Sequence, residues 1–108
     1  MHGPQPLGYW SRLEAANCGR SHAFLTAGRR YCVVQQFVDY DGEIHPEREA
    51  WVFLGYSFLP QDEGMSFFVS FDGVHEWHIP LQWRPEGQGE ILDHLDRYVV
   101  AVDDIKND

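Results

Sequence analysis

Asp39, Asp41, Glu43 and His45 fall at alternate positions in one turn. Hard cations bind where several carboxylate oxygens converge, so this turn is a candidate metal or small-ligand site. The spacing is not that of an EF-hand loop, because no bidentate glutamate follows at the required distance. A polar hairpin turn held by Asx hydrogen bonds accounts for the same residues and is the commoner outcome. A second cluster, His75-Glu76-Trp77-His78, has two imidazoles three positions apart. On a strand they point to opposite faces and do not share one metal. The His-Glu-x-x-His pattern of a zinc protease is absent.

Other residues have the types that bind partners. Leu81-Gln82-Trp83-Arg84 places a tryptophan beside an arginine. Both types dominate interface hot spots, and Arg84 can stack on Trp83 or grip a carboxylate. The same pair could instead brace a strand against a helix. Tyr40, Trp51, Tyr56, Phe58 and Trp77 form an aromatic set. On one outer face they would make a groove for a peptide; inside, they would be the core of a small domain.

Nucleophilic catalysis has no support. Ser57, Ser66 and Ser70 lie in strand-like runs without a Gly-x-Ser-x-Gly elbow. Gly87-Gln88-Gly89 lacks the lysine of a phosphate loop. Cys18 and Cys32 are not a Cys-x-x-Cys pair and read as reduced thiols. No cofactor is expected.

The elements that must carry these residues are mostly strands. Tyr31 to Asp39, Glu49 to Phe58, Met65 to Phe71 and Val74 to Leu81 are rich in aromatic and β-branched residues. The cleanest alternation is Met65, Phe67, Val69 and Phe71 against Ser66 and Ser70. In the Glu49–Phe58 run, Ala50, Val52, Leu54, Tyr56 and Phe58 are expected on one face, with Trp51 and Phe53 on the other. Asp41-Gly42 and Asp72-Gly73 supply the positive-φ positions that tight turns require. Pro80 lacks an N–H, so that end should be an edge or a bulge.

Helices are expected at both ends. Ser11 with Glu14 matches a capping box, Trp10 sits at the staple position, Leu13 and Ala16 give an apolar face, and Gly19 is the expected stop. Toward the C-terminus, Ile91, Leu92, Leu95, Tyr98, Val99 and Val102 recur at helical spacing after Pro85, Glu86 and Glu90. Val99 to Val102 could alternatively close the sheet as a short strand. The expected fold is α+β, mainly β. It is a strongly bent antiparallel sheet of four to five strands in a small SH3-like barrel, with a short N-terminal and an amphipathic C-terminal helix. Residues 1–24 read as an arm with a short helix, and residues 25–104 as one compact β-rich domain.

Phe37-x-Asp39-Tyr40-Asp41-Gly42, Trp51-x-Phe53-Leu54-Gly55 and Leu81-Gln82-Trp83-Arg84 together resemble a family of small bacterial proteins of unknown function. The resemblance spans about residues 25–100. It implies a small bacterial domain and brings no activity.

Composition narrows the function classes. The 108 residues hold 8 Lys+Arg against 17 Asp+Glu, a formal charge of -9. Residues 31–108 carry Arg48, Arg84, Arg97 and Lys106 against 16 acids, a local -12. An acid excess disfavours nucleic acid and anionic membranes, which need Lys and Arg. No apolar run is long enough to span a bilayer, and no secretion leader is visible, so a cytoplasmic location is expected. The resulting expectation is a non-enzymatic acidic module that binds a protein partner, with an antidote or immunity protein masking a basic toxin as one form. The alternative is a small-molecule or metal-binding domain using the Asp39–His45 turn. An exposed aromatic face would also serve a homodimer.

Overall fold

The computed structural model describes residues 1–12 and 15–104. Among the described residues, eleven strands form in chain order. They are β1 (His2–Pro6), β2 (Cys18–Gly19), β3 (Ser21–His22), β4 (Leu25–Thr26), β5 (Arg30–Val33) and β6 (Phe37–Val38). Then come β7 (Ile44–His45), β8 (Ala50–Leu59), β9 (Gly64–Ser70), β10 (His75–Gln82) and β11 (Val99–Ala101). The main sheet is antiparallel in the order β1-β10-β9-β8-β5-β11, with β2 added on β8. Two small hairpins, β3–β4 and β6–β7, stand apart from it.

The two Asp-Gly turns form as their residue types require. Gly42 and Gly73 have φ of 86° and 82°. Asp72 Oδ1 accepts from the Val74 and His75 amides, which fixes the β9–β10 register. Tyr31, Trp51, Phe53, Val69, Ile79 and Leu81 share one sheet face and are buried. Ile91, Leu92, Leu95 and Tyr98 from the C-terminal segment join the same core.

Three expectations need correction. The sheet is open, not an SH3-like barrel: β1 lies at one end of the strand order and β11 at the other. Residues Ile91, Leu92, Leu95 and Tyr98 of the C-terminal segment join the buried core, so the apolar surface is covered without closure. Second, the long C-terminal helix is confined to α1 (Gly89–Asp93), followed by a 3-10 turn at Leu95–Arg97. The β-branched residues Val99 and Val100 then pair with β5, which is the shorter-strand alternative. Third, the N-terminal helix is not seen in the described flanks. Gly8–Arg12 and Ala16–Asn17 are turns, while Leu13 and Glu14 lie outside the described residues.

The alternation expected for β8 also changes phase. Trp51 and Phe53 face the core, but a bulge between Phe53 and Gly55 shifts the register against β9. Tyr56 and Phe58 then oppose Phe67 and Met65 and face the same way as Trp51. One extra residue flips every later side chain to the other face. The cause is a close approach: a Cβ on Gly55 would lie 2.9 Å from the Gly19 carbonyl oxygen of β2.

The opposite face is covered by the N-terminal arm. β1 pairs with the start of β10, and the Trp10 indole lies nearly parallel to Phe68, centroids 6.3 Å apart. No helix among the described residues is long and apolar enough to cross a membrane.

Candidate functional site

Two constellations concentrate the chemistry: a cluster of clefts around Trp83 and Arg84, and the charged turn at Asp39.

Trp83 and Arg84 lie just past the end of β10, where the chain turns toward α1. The Trp83 amide donates to the Glu63 carbonyl at 2.7 Å. Gln82 closes the turn, its amide donating to Gln88 Oε1 and its carbonyl accepting from the Gln88 amide. Gly87 and Gly89 donate to the Arg84 carbonyl. A Cβ on Gly89 would sit 2.6 Å from that oxygen, so only glycine lets α1 start this close. Gly89→Ala is therefore expected to cost about 1–3 kcal/mol through displaced backbone. Circular dichroism melts would show the loss, and a shift in tryptophan emission would show that Trp83 has moved. An unchanged melt and spectrum would refute this account of the turn.

Three concavities border this turn. The first, about 500 Å³, is lined by His22, Tyr56, Phe58, Pro60, Met65 and Trp83. Its walls are aromatic contacts: Trp83 packs edge-on against Phe58 at 5.8 Å and against His22 at 6.0 Å. Burial pushes the His22 pKa below its ordinary value, so the imidazole is neutral at pH 7. The second, about 330 Å³, shares Trp83 and Arg84 and adds Pro85, Glu90, Asp93 and His94. The Trp83 indole N–H donates to Asp93 Oδ1 at 2.8 Å. The third, about 350 Å³, shares Arg84 and Met65 and contains Tyr40, Ser66 and Gln82. Arg84 Nε lies 3.4 Å from Glu63 Oε2. That pair is partly exposed and worth little by itself.

Of the expected partner-binding residues, Tyr56 and Trp83 line the first cleft, Trp83 and Arg84 the second, and Tyr40 and Arg84 the third, with Tyr40 held at β10 by its amide hydrogen bond to the Pro80 carbonyl and sharing no cleft with Tyr56. Phe58 joins the first cleft once the β8 bulge has turned it to this side. Trp51 does not, being fully packed in the core beside Tyr31 with its indole N–H unpartnered. Trp77 packs edge-on against Phe71 at the start of β10. It lies six positions along the chain from Trp83, about 20 Å at strand rise.

The Asp39 turn is a closed cluster of charges. His45 is fully buried between two carboxylates, with Nε2 2.8 Å from Asp39 Oδ2 and Nδ1 2.6 Å from Glu49 Oε1. Phe37 stacks on its ring at 4.8 Å. Asp39 Oδ1 accepts from the amides of Asp41 and Glu43. The Met1 amine lies 3.1 Å from Asp39 Oδ2 and 3.1 Å from Asp41 Oδ2, and His2 Nε2 is 2.7 Å from the same Asp41 oxygen. Burial disfavours the charged forms. The hydrogen bonds and charges of Glu49 and Asp39 outweigh it and raise the His45 pKa. His45 and the Met1 amine likewise hold the Asp39 pKa below its ordinary value. Of the four candidate ligands, Asp39, Asp41 and His45 are thus brought together, and the positive charge among them is supplied by the chain itself. Glu43 contributes its backbone. Among the described residues, no group of three or more His, Cys, Asp or Glu is disposed to hold a metal ion.

Residue spacing gives Glu49 no role in the turn and marks Glu76 only as a member of the His75–His78 run. Glu76 is fully buried and accepts from the amides of Gly8, Trp10 and Ser11 and from the Ser11 hydroxyl. The Ser11 hydroxyl thus donates to a carboxylate on β10, while Glu14, its expected capping-box partner, lies outside the described residues. His75 and His78 do point apart, to Asp72 and Ser66 respectively.

Among solved structures, an integron cassette protein from the mobile metagenome of Vibrio cholerae is similar, with a TM-score of 0.74 and 37% identity. The match covers 78% of this chain and 92% of that one. No curated protein matches the chain. Residues 15–104 match the family described as DUF3601, a domain of unknown function. By that match the chain belongs to the DUF3601 family.

Proposed function

We propose that this chain is a non-enzymatic binding module whose partner is a basic protein, engaged at the Trp83–Arg84 turn. The observation that carries the reading is that two open clefts share the partly exposed Trp83, one of them also lined by Arg84, in a chain of charge -9. Tryptophan and arginine in adjoining clefts are the residue types that dominate binding energy. The surrounding acids favour and steer a positive partner. A narrower form of the same proposal is an antidote or immunity protein that masks a basic toxin in the bacterial cytoplasm. Cys18 and Cys32, both unpaired, suit such a reducing compartment.

The test is capture of host proteins on the immobilised chain and on a Trp83→Ala variant, at low and at physiological salt. A partner held by the native chain should be basic and should weaken with salt. Trp83→Ala should cost about 2 kcal/mol, roughly 30-fold in affinity, as for a hot-spot residue. Equal capture by the variant would refute the site, and an acidic or salt-indifferent partner would refute the electrostatic basis.

A further inference from the structure

We infer that the partner is gripped through a short segment that pairs an apolar side chain with a neighbouring lysine or arginine. The apolar group fills the His22–Tyr56–Phe58 cleft, and the cation lies against Trp83 beside Glu90 and Asp93. This inference rests on the reading of the chain as a binder of a basic protein, and it names the part of that protein that would be bound.

The two clefts share Trp83 but differ in chemistry. The first is walled by Tyr56, Phe58, Pro60, Met65 and Trp83, and its imidazole, His22, is kept neutral by burial. An apolar group gains there from removal of surface from water, and a charged one would be desolvated without a counterion. The second is bordered by two carboxylates, Glu90 and Asp93. Asp93 accepts a hydrogen bond from the Trp83 indole N–H, which makes the ring more electron-rich and a better seat for a cation. Arg84 also lines this cleft, and its charge is offset by Glu63 at 3.4 Å, which leaves Glu90 and Asp93 unopposed. The local balance is therefore negative, and charge complementarity selects lysine or arginine as the neighbour of the apolar anchor.

The probes are fluorescein-labelled synthetic peptides, read by anisotropy against the purified chain at physiological salt. One alternates leucine with arginine, one alternates leucine with glutamate, and one alternates glycine with arginine. The leucine–arginine peptide should bind, and each of the others should be at least about tenfold weaker. Trp83→Ala should lower its affinity at least about tenfold. Glu90→Gln with Asp93→Asn should lower it severalfold while keeping both acceptors, so the Tyr98 and Trp83 hydrogen bonds persist. Glu47→Gln, the loss of one charge at an exposed position elsewhere, should change little. No binding of the leucine–arginine peptide, or equal binding of the glycine–arginine peptide, would overturn the inference. So would an effect of Glu47→Gln as large as that of the double variant. If peptide discrimination fails while capture of a basic protein still depends on Trp83, the segment assignment falls and the proposed function stands. If capture is indifferent to Trp83, the proposed function falls as well.

Discussion

Replacing His45 with alanine is expected to destabilise the fold by about 3–5 kcal/mol, the cost of breaking a buried ionic group by removing one partner. His45 is fully buried and bridges Asp39 and Glu49. Without it, the buried Asp39 carboxylate keeps its desolvation cost but loses its nearest ring N–H. The cluster also ties the β6–β7 hairpin to the start of β8, since Asp39 precedes the turn and Glu49 precedes Ala50. Glu49→Gln is expected to cost less, because the Glu49 side chain is 14% exposed and water can satisfy what remains. Urea unfolding of the three proteins at one pH gives the ordering. A His45→Ala midpoint close to that of the native chain would show that the cluster is not a source of stability.

The same cluster sets the pH dependence. The His45 pKa is raised above its ordinary 6.5 in the folded chain, chiefly because the hydrogen bonds of Glu49 and Asp39 overcome burial. Its contribution is therefore fully present below 6.5 and is lost as pH rises through the raised folded value. The Asp39 pKa is lowered from 3.8, burial being outweighed by its bonds to His45 and the Met1 amine. That contribution is present above 3.8 and is lost as pH falls through the lowered folded value. Both are in place between 3.8 and 6.5. The native chain should therefore lose stability on the alkaline side of this window, and His45→Ala should lose less there. Equal alkaline slopes for the two proteins would contradict the assignment of the proton to His45.

What could be read in the sequence was whatever one residue type decides by itself. Asp41-Gly42 and Asp72-Gly73 were legible because the turn geometry leaves few alternatives. The Met65–Phe71 alternation was legible because β9 runs without a bulge. The phase of β8 was not legible, because the bulge answers to the Gly19 backbone, which lies far away in the chain. An apolar spacing of three and four over Ile91–Val102 fits a helix and also fits a short helix followed by a strand. Only pairing with β5 decides between them. Trp83 and Arg84 could be named from their types, whereas the exclusion of Trp51 from the groove required its burial. The Asp39 turn shows the same limit. Its residues were the right ones, but the identity of the cation that balances them depends on which side chains fold back into the turn.

Glu76 carries the second large effect. Its carboxylate satisfies three backbone N–H groups and one hydroxyl from a segment 65 to 68 positions earlier in the chain. Nothing local announces this, because a glutamate between two histidines on a strand is ordinarily a solvated residue. Glu76→Ala leaves those four donors without an acceptor. If the Gly8–Ser11 loop stays in place, each unsatisfied donor costs about 1–3 kcal/mol. If the loop leaves for water, the cost is instead the Trp10 contact with Phe68 and the exposure of that face. The second route is the cheaper one, and it limits the expected loss to about 3–4 kcal/mol, of which roughly 1.5–3 is the uncovering of large apolar side chains. Glu76→Gln should not restore the native value. One acceptor oxygen becomes an NH₂ group, which then faces either the Gly8 amide and the Ser11 hydroxyl or the amides of Trp10 and Ser11. Hydrogen exchange separates the two routes. Loss of protection confined to the amides of Gly8, Trp10 and Ser11 means that the arm has detached from an intact sheet. In that case peptide binding at Trp83 should persist, because the His22 cleft opens on the other face of the sheet. Unchanged protection in both variants would mean that the carboxylate does not hold the arm, and that the Trp10–Phe68 contact and the β1–β10 pairing do so without it.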